Sequence, residues 1–372
     1  MSLGNPLGNP LGNPLGLARS GGAGSSVGDI VTRLAPPTGN FLEADGRQLL
    51  KAMYPKLFAV IGDAYSIADF TAGFSSVTLS ASSTWVSIAY GNGLFVAIST
   101  AGLTSVSADN GATWQAGGAL PAGTYSSIAF GNGTFVAVAT GSAIAATSAD
   151  GASWVQRTLP ASGAWSSVVF GAGVFIAIRN AAGACARSTD NGVTWQNGGA
   201  LTSIGGTWSS TYGNGIFVAV PGGGSSTGAS SSDGGITWTS RTLPASAAWS
   251  SVAYGNFRFV AVSTSAAVAT SADGITWTSS TFPDVSGSNA VGFGAGIFYS
   301  GTSYSSKDGI SWTSRPPFLN SSALSFGAST IIALQNASSA SATRASIFSS
   351  TNFNLPLLKP GDGRNTAYIK VT

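Results

Sequence analysis

YGNGLFVAI at residues 90–98 decides the fold of this chain, because it joins an aromatic residue, a glycine-marked turn and an apolar strand. Six later stretches repeat this pattern. They are FGNGTFVAV (130–138), FGAGVFIAI (170–178), YGNGIFVAV (212–220), YGNFRFVAV (254–262), FGAGIFYSG (293–301) and FGASTIIAL (326–334). Each stretch predicts two antiparallel strands joined by a tight turn.

The seven strand pairs begin 33 to 42 residues apart. This period is typical of four-stranded propeller blades rather than of helical or leucine-rich repeats. We therefore predict a mainly β fold, with a seven-bladed β-propeller over residues 69–351.

A second motif lies between consecutive strand pairs. Its copies are SADNGATW (107–114), SADGASW (148–154), STDNGVTW (188–195), SSDGGITW (231–238), SADGITW (271–277) and SKDGISW (306–312). The motif resembles the Asp-box of sialidases and other propellers, which implies a hairpin between the third and fourth strands of a blade. Aspartate caps backbone N–H groups in such turns, and glycine accepts positive φ. We interpret the aspartates as turn formers: Asp109, Asp150, Asp190, Asp233, Asp273 and Asp308.

The last repeat lacks a fourth strand after SIFSST (346–351), and a candidate for that strand precedes the first repeat. FSSVTLSASSTW (74–85) aligns without a gap with WVQRTLPASGAW (154–165), which contains the outer strand of another blade. We expect a strand at 70–80 to join blade seven and close the ring. Such closure removes open sheet edges, which promote aggregation.

The first 26 residues differ in composition from the rest, since three copies of LGNP precede a stretch rich in glycine and serine. This composition predicts an extended, polyproline-like or flexible segment. Two interpretations remain open: an arm that becomes ordered on a partner, or a plain flexible leader.

Further motifs flank the repeats on both sides. They are PPTG (36–39), FL (41–42), DG (45–46), YP (54–55), LF (57–58), IG (61–62) and, after the repeats, FNLPLL (353–358). Together they resemble the phage tail-collar domain, and KPGDGRNTAYIKVT (359–372) resembles the C-termini of tail fibres. The resemblance implies a small α+β phage tail-collar-like domain, formed by 27–68 plus 352–372, into which the propeller is inserted. We expect one short helix near 46–61.

The charge distribution argues against a nucleic-acid partner. The chain carries a net charge of +3, but residues 69–351 hold eight basic and eight acidic side chains. A neutral propeller offers no electrostatic surface for phosphates. No apolar run approaches membrane-spanning length, so membrane insertion is not expected. The single cysteine, Cys185, fits synthesis in a reducing host cytoplasm.

Composition also argues against an enzyme. The chain has no histidine, and its one glutamate, Glu43, lies outside the propeller. Glycoside hydrolysis usually requires two carboxylic groups at the substrate, or an acid with a tyrosine nucleophile. Six of the eight propeller aspartates belong to Asp-boxes. We predict no catalytic residue, no metal site and no cofactor.

Binding is the alternative that the repeats favour, because the residue at the start of the inner strand varies. It is aromatic in the first five blades and serine in the last two: Trp85, Tyr125, Trp165, Trp208, Trp249, Ser288 and Ser321. We expect the aromatic side chains to rim the channel, away from the Asp-boxes, and to stack on sugars. Arg179 and Asn180 would orient sugar hydroxyls. The alternative is that these rings fill the space between adjacent blades.

These features predict a phage tail fibre, or receptor-binding protein, that attaches the virion to a bacterial surface glycan or another host receptor. The resemblance implies a homotrimer, held to tail or baseplate proteins through residues 1–26. The irregular segments 221–230 and 335–344 are expected to be recognition loops. Two alternatives stay open: a purely structural tail-tip or collar component, and a glycan hydrolase.

Overall fold

A computed structural model describes the following residues, and all structural statements refer to them. They are 30–33, 41–43, 48–50, 75–180, 184–201, 206–284, 287–294, 296–301, 304–314, 321–327, 330–335, 338–346, 352–354 and 366–370. The predicted arm at 1–26 and most of the predicted collar segments lie outside them.

The repeated motif forms the hairpin that its sequence predicts. Ser75–Gly91 pairs with Leu94–Ser99, and Gly91 lies opposite Leu94. The two residues between them, Asn92 and Gly93, have φ of 51° and 78°. Both values match the two-residue turn whose twist suits an antiparallel hairpin, and Asn and Gly are the residues that adopt it most readily.

Five antiparallel sheets of four strands follow along the chain. Sheet 2 consists of Thr124–Gly131, Thr134–Thr140, Ser142–Ser148 and Val155–Gly163. Sheet 3 consists of Trp165–Gly171, Val174–Arg179, Ala184–Ser188 and Gln196–Ala200. Sheet 4 consists of Trp208–Gly213, Ile216–Pro221, Ser225–Ser231 and Thr239–Ala247. Sheet 5 consists of Trp249–Gly255, Arg258–Ser263, Ala267–Ser271 and Thr278–Thr281. Sheet 6 consists of Val291–Gly294, Ile297–Ser300, Tyr304–Ser306 and Thr313–Ser314.

Sheet 1 has seven strands because one long strand serves two groups of four. In spatial order it consists of Ser321–Gly327, Thr330–Gln335, Ser338–Ser346, Ser75–Gly91, Leu94–Ser99, Thr104–Ser107 and Gln115–Ala116. The first part of Ser75–Gly91 pairs with Ser338–Ser346, and its second part pairs with Leu94–Ser99. The two ends of the repeat region therefore share one strand.

The core lies between neighbouring sheets. Val96 and Ile98 of sheet 1, for example, form one buried cluster with Ile128 and Phe135 of sheet 2. The aromatic residue that opens each repeat covers a glycine of the preceding one, where a β-carbon would lie 2.0 to 2.1 Å from the ring. The pairs are Gly91 with Phe130, Gly131 with Phe170, Gly171 with Tyr212, Gly213 with Tyr254, Gly255 with Phe293, Gly294 with Phe326 and Gly327 with Tyr90. Since the last pair returns to the first repeat, the contacts form a closed cycle.

The tight turns of the repeats lie on the same side of the sheets as the Asp-box hairpins. Asn92 Nδ2 donates to the carbonyl of Ala149, next to an Asp-box aspartate, at 3.0 Å. Asn132 Nδ2 likewise donates to Asn191 Oδ1 in the following Asp-box, at 2.7 Å. We call the side that carries both sets of turns the Asp-box face.

The two ends of the chain form a separate compact unit. Thr366–Lys370 lies between Ile30–Arg33 and Phe41–Glu43 in a three-stranded sheet. Gln48–Leu50 pairs with Asn352–Asn354. The prediction of a helix near 46–61 is therefore wrong at Gln48–Leu50, because these residues form hydrogen bonds with a strand from the far end of the chain instead of local helical bonds. Residues 51–61 lie outside the described part. No helix occurs among the described residues, and the mainly β prediction is confirmed.

Two segments that were expected to be loops are largely strands. Ser225–Ser231 and Ser338–Ser346 are third strands of their groups, in spite of their high content of serine and glycine. Hydrogen bonds along both edges order these strands although few of their side chains are hydrophobic, so the predicted recognition loops are wrong over these two ranges.

Candidate functional site

The five aromatic residues expected at the channel rim are buried. Between 1% and 3% of each side chain is exposed: Trp85, Tyr125, Trp165, Trp208 and Trp249. Each ring belongs to a hydrophobic cluster of the core. Trp165 of sheet 3, for example, packs with Val136 and Val138 of sheet 2. No ring face is available to a sugar, and the structure matches the alternative in which these rings fill the space between sheets.

Hydrogen bonds engage the polar atom of four of these five side chains, whereas Trp208 Nε1 is buried without a hydrogen-bond partner among the described residues. Trp165 Nε1 donates to the carbonyl of Ala161 at 3.2 Å, and Trp85 Nε1 donates to that of Ala81 at 3.1 Å. The Tyr125 hydroxyl donates to the carbonyl of Pro121 at 2.9 Å. Each bond fastens the connection that leads into the strand, so these side chains have a structural role.

Arg179 and Asn180 lie beside one of these rings. The Arg179 guanidinium carbon is 5.7 Å from the centre of the Trp165 ring, and Nη1 donates to the carbonyl of Ser162 at 3.2 Å. The Asn180 amide N–H donates to the carbonyl of Ala164 at 2.8 Å, and its Oδ1 is buried without a hydrogen-bond partner. The structure thus brings both residues to Trp165, where Arg179 packs on the connection between two sheets.

The Asp-box aspartates act within their own hairpins. Asp109 Oδ1 accepts from the Thr113 amide at 2.9 Å and from the Ser107 hydroxyl at 2.8 Å, while Oδ2 accepts from the Thr113 hydroxyl at 2.6 Å. In the other boxes the aspartate Oδ1 likewise accepts from backbone amides of its own turn, and Asp190 and Asp233 repeat the Oδ2 bond to a threonine hydroxyl. The hydrogen bonds from Thr113 lower the pKa of Asp109 to about 2. A carboxylate held ionised in this way is unsuited to donating a proton in catalysis.

Three of the Asp-box tryptophans, Trp114, Trp154 and Trp195, donate a hydrogen bond to the glycine of their own hairpin. Trp114 Nε1 donates to the carbonyl of Gly111 at 3.2 Å, and Trp154 Nε1 donates to that of Gly151 at 3.0 Å. The predicted turn-forming role of the Asp-boxes agrees with this geometry.

The described residues offer little concave space or metal-binding chemistry. The two best-formed cavities have volumes of about 70 and 10 Å³, whereas sites for small molecules usually enclose 300 Å³ or more. Within the described ranges, no group of three or more Cys, Asp or Glu side chains is placed to hold a metal ion. No helix in this part of the chain has the length and apolarity needed to span a membrane.

The only thiol is not placed for chemistry. Cys185 is buried, and Sγ donates to the carbonyl of Gly199 at 3.2 Å and accepts from Trp238 Nε1 at 3.3 Å. Burial raises the pKa of this thiol, so the reactive thiolate is disfavoured.

One turn on the Asp-box face differs from the others, and sequence reasoning missed it. Where the tight turns of five other repeats read Asn-Gly or Ala-Gly, the turn of sheet 5 reads Asn256-Phe257, and Arg258 follows it. Phe257 has a φ of 57°, which is uncommon for a bulky residue. The signal was present in the aligned repeats, in which YGNFRFVAV alone has phenylalanine and arginine at these positions.

Comparison with solved structures assigns the fold. The structure of YCF48 bound to D1 peptide is similar at 17% identity, with a TM-score of 0.58, over 77% of this chain and 100% of that one. Virginiamycin B lyase from Staphylococcus aureus is similar at 13% identity, with a TM-score of 0.61, over 74% of this chain and 99% of that one. A catalytically inactive variant of that lyase, in which alanine replaces a histidine, is similar at 13% identity, with a TM-score of 0.60, over 74% and 100%. These proteins are β-propellers, and at such identities the likeness shows the fold alone.

No protein-family model matches the sequence, and no curated protein matches it. The described sheets and the structural neighbours together establish a β-propeller fold.

Proposed function

We propose that this chain is a phage tail-fibre protein whose seven-bladed propeller binds a glycan on the bacterial surface and performs no catalysis. In this proposal the chain ends, 27–68 with 352–372, form a tail-collar-like domain that carries the inserted propeller at 69–351. Residues 1–26 hold the fibre to the virion, and three copies assemble.

The closed cycle of seven aromatic–glycine contacts is the observation that supports seven blades most directly. The strand Ser75–Gly91 agrees with it, because its first part supplies the fourth strand of the group that begins at Ser321. Pairing of Ile30–Arg33 and Phe41–Glu43 with Thr366–Lys370 supports a domain made from both ends of the chain.

The absence of catalytic groups from the described residues supports a binding role. The Asp-box carboxylates serve their own turns, the cavities are small, and the chain has no histidine. The lyase neighbour is inactive in a variant that lacks one histidine, so its chemistry has no counterpart in this composition. These observations support the proposed role of the propeller in binding rather than in catalysis.

Adsorption competition tests the proposal. The full chain, purified and added before the phage, is expected to reduce adsorption to the bacterial strain on which that phage grows. Periodate oxidation of the cells, which destroys vicinal diols of sugars, should abolish binding of fluorescently labelled protein. Gold-labelled antibody against the propeller should mark the tail of intact virions in electron micrographs.

Other results would favour the alternatives. A labelled tail without any binding to host cells would mean a purely structural component. Release of reducing ends from host polysaccharide by the purified chain would mean a hydrolase. Binding that survives periodate would exclude a glycan receptor.

A further inference from the structure

The turn of sheet 5 has an aromatic side chain where the fold favours glycine. The second turn position is glycine in five other repeats: Gly93, Gly133, Gly173, Gly215 and Gly296. Their φ values lie between 77° and 80°, and Phe257 occupies the same left-handed region at 57°. Its side chain is partly exposed. Backbone strain of this kind persists only where the surroundings impose it, and it is concentrated at functional sites.

The next residue, Arg258, presents a charge at a position where four other repeats have an aliphatic side chain. Its counterparts Leu94 and Ile216 pack in the clusters between sheets. The stem of Arg258 follows the same route, since a β-carbon on Gly309 of the next Asp-box would lie 3.3 Å from Arg258 Cδ. The methylene groups thus lie between sheets 5 and 6, which directs the guanidinium towards the Asp-box face.

The guanidinium of Arg258 also differs from the others in its partners. Six arginine side chains are described, and five of them donate a hydrogen bond to a neighbour: Arg157, Arg179, Arg187, Arg241 and Arg344. Arg258 donates to none of the described residues. The methylene groups of Arg258 are packed, while its guanidinium has five N–H donors that bind none of the described residues. Such a side chain is suited to binding an anion.

A second cation lies beside this turn. Asn256 Nδ2 donates to the carbonyl of Lys307 and to that of Gly296, both at 2.8 Å, which fixes the turn of sheet 5 against the Asp-box of sheet 6. Lys307 is exposed, whereas the equivalent position in three other Asp-boxes is alanine. The neighbouring Asp308 uses Oδ1 to accept from the amides of Ile310 and Ser311, at 2.8 Å each. The spot therefore has two cations and one carboxylate that is engaged in its own turn.

We infer that Phe257, Arg258 and Lys307 form a binding site for an acidic sugar on the Asp-box face. The inference rests on the proposed function and names the ligand class and the surface. The phenyl ring stacks on the apolar face of the sugar, and the guanidinium forms a bidentate pair with its carboxylate or phosphate. Lys307 adds a second charge. Uronate and sugar phosphate share this chemistry and are distinguished below.

Three substitutions test the site while keeping the fold, because each installs the residue found in other repeats. They are Phe257→Gly, Arg258→Ile and Lys307→Ala. Binding of the full chain would be measured by biolayer interferometry on surfaces coated with polyglucuronate, poly(glycerol phosphate) or neutral dextran. Arg157→Gln removes the same charge from the outer strand of sheet 2 and serves as the matched control.

The wild-type chain is expected to bind one or both acidic polymers and not dextran, with affinity falling as salt rises. Arg258→Ile and Phe257→Gly should each weaken binding at least tenfold, and Lys307→Ala several-fold, whereas Arg157→Gln should have no effect. Phe257→Gly should also raise the midpoint of thermal unfolding, since it removes the strained φ. Preference for polyglucuronate or for the phosphate polymer identifies the source of the anion.

Retention of binding by Arg258→Ile and Phe257→Gly would overturn the site, as would an equal loss in Arg157→Gln, which would indicate non-specific attraction. Adsorption competition separates this outcome from failure of the proposed function. If the wild type and all variants block adsorption equally, the function stands and the site is wrong. If the wild type binds acidic polymer through these residues but does not block adsorption, the site stands and the function is wrong.

Discussion

Replacing Gly327 with alanine tests whether the two groups of four strands in sheet 1 touch at their inner strands, as ring closure requires. A β-carbon on Gly327 would lie 2.0 Å from Cγ of Tyr90, which is 237 positions earlier in the chain. Carbon atoms in contact are separated by about 3.5–4 Å, so the ring or the strand must move by roughly 1.5 Å or more. Gly327 does not have positive φ, so the backbone itself accepts alanine.

The expected cost is at the upper end of the range for overpacking, about 3 kcal/mol. For a unit of this size each kcal/mol lowers the melting temperature by about 2–4 °C, which predicts a fall of about 6 °C or more. Urea unfolding, followed by tryptophan fluorescence, and differential scanning calorimetry would measure it. Gly131→Ala is the matched control, because its β-carbon would meet Phe170 of the adjacent sheet 3 at the same distance of 2.0 Å.

A double-mutant cycle completes this test. In a Tyr90→Ala background the obstacle is gone, so Gly327→Ala should cost nothing further, and the coupling free energy should be about 2–3 kcal/mol. If Gly327→Ala is neutral while Gly131→Ala is destabilising, Tyr90 does not cover Gly327 in solution and the closed cycle of sheets is refuted.

Further predictions concern hydrogen bonds, acid stability and burial. Asn92→Ala should lower the free energy of unfolding by about 1–3 kcal/mol, since it removes two hydrogen bonds to the next sheet and a residue that tolerates left-handed φ. Asn92→Gly should lose only the contribution of the hydrogen bonds, because glycine also adopts this φ. Equal losses in the two variants would contradict the separate contribution of the backbone conformation. The folded-state pKa of Asp109 and of Asp233 is about 2 against an ordinary 3.8, so melting temperatures should be constant above pH 4 and fall between pH 4 and 2, and a flat profile would refute the turn-forming bonds. Trp165→Phe should lower the free energy of unfolding in urea by about 1 kcal/mol or more and leave host binding unchanged. Loss of host binding without loss of stability would mean that the Trp165 ring contacts the ligand. Cys185 should react with a thiol reagent only when the chain unfolds, and fast labelling of the native protein would contradict its burial.

The hairpins and Asp-boxes could be predicted from the sequence because their physics is local. Asn-Gly between apolar segments requires left-handed φ, which Asn92 and Gly93 adopt. The box motif contains both partners of its own hydrogen bonds, such as Ser107 with Asp109. Self-contained units of this kind depend little on distant parts of the chain.

The orientation of the inner aromatic rings could not be predicted in this way. A break in register lies between Trp85 and Ser87, and a similar one lies between Trp165 and Ser167. Such a bulge changes which face of the sheet the preceding side chain occupies, so alternation cannot be counted across it. The prediction of a helix at Gln48–Leu50 was wrong for another reason. The strand that pairs with these residues lies about 300 residues away, and local propensity carries no information about so distant a partner.

The strand shared by the two ends of the propeller has a consequence for synthesis. Ser75 pairs with Arg344, which leaves the ribosome 269 residues later. Throughout that interval one edge of the nascent strand has no partner and is free to pair with other chains. A translation product that ends before Arg344 therefore keeps an unpaired strand edge. When elongation stalls, expression should yield inclusion bodies rather than shorter soluble propellers.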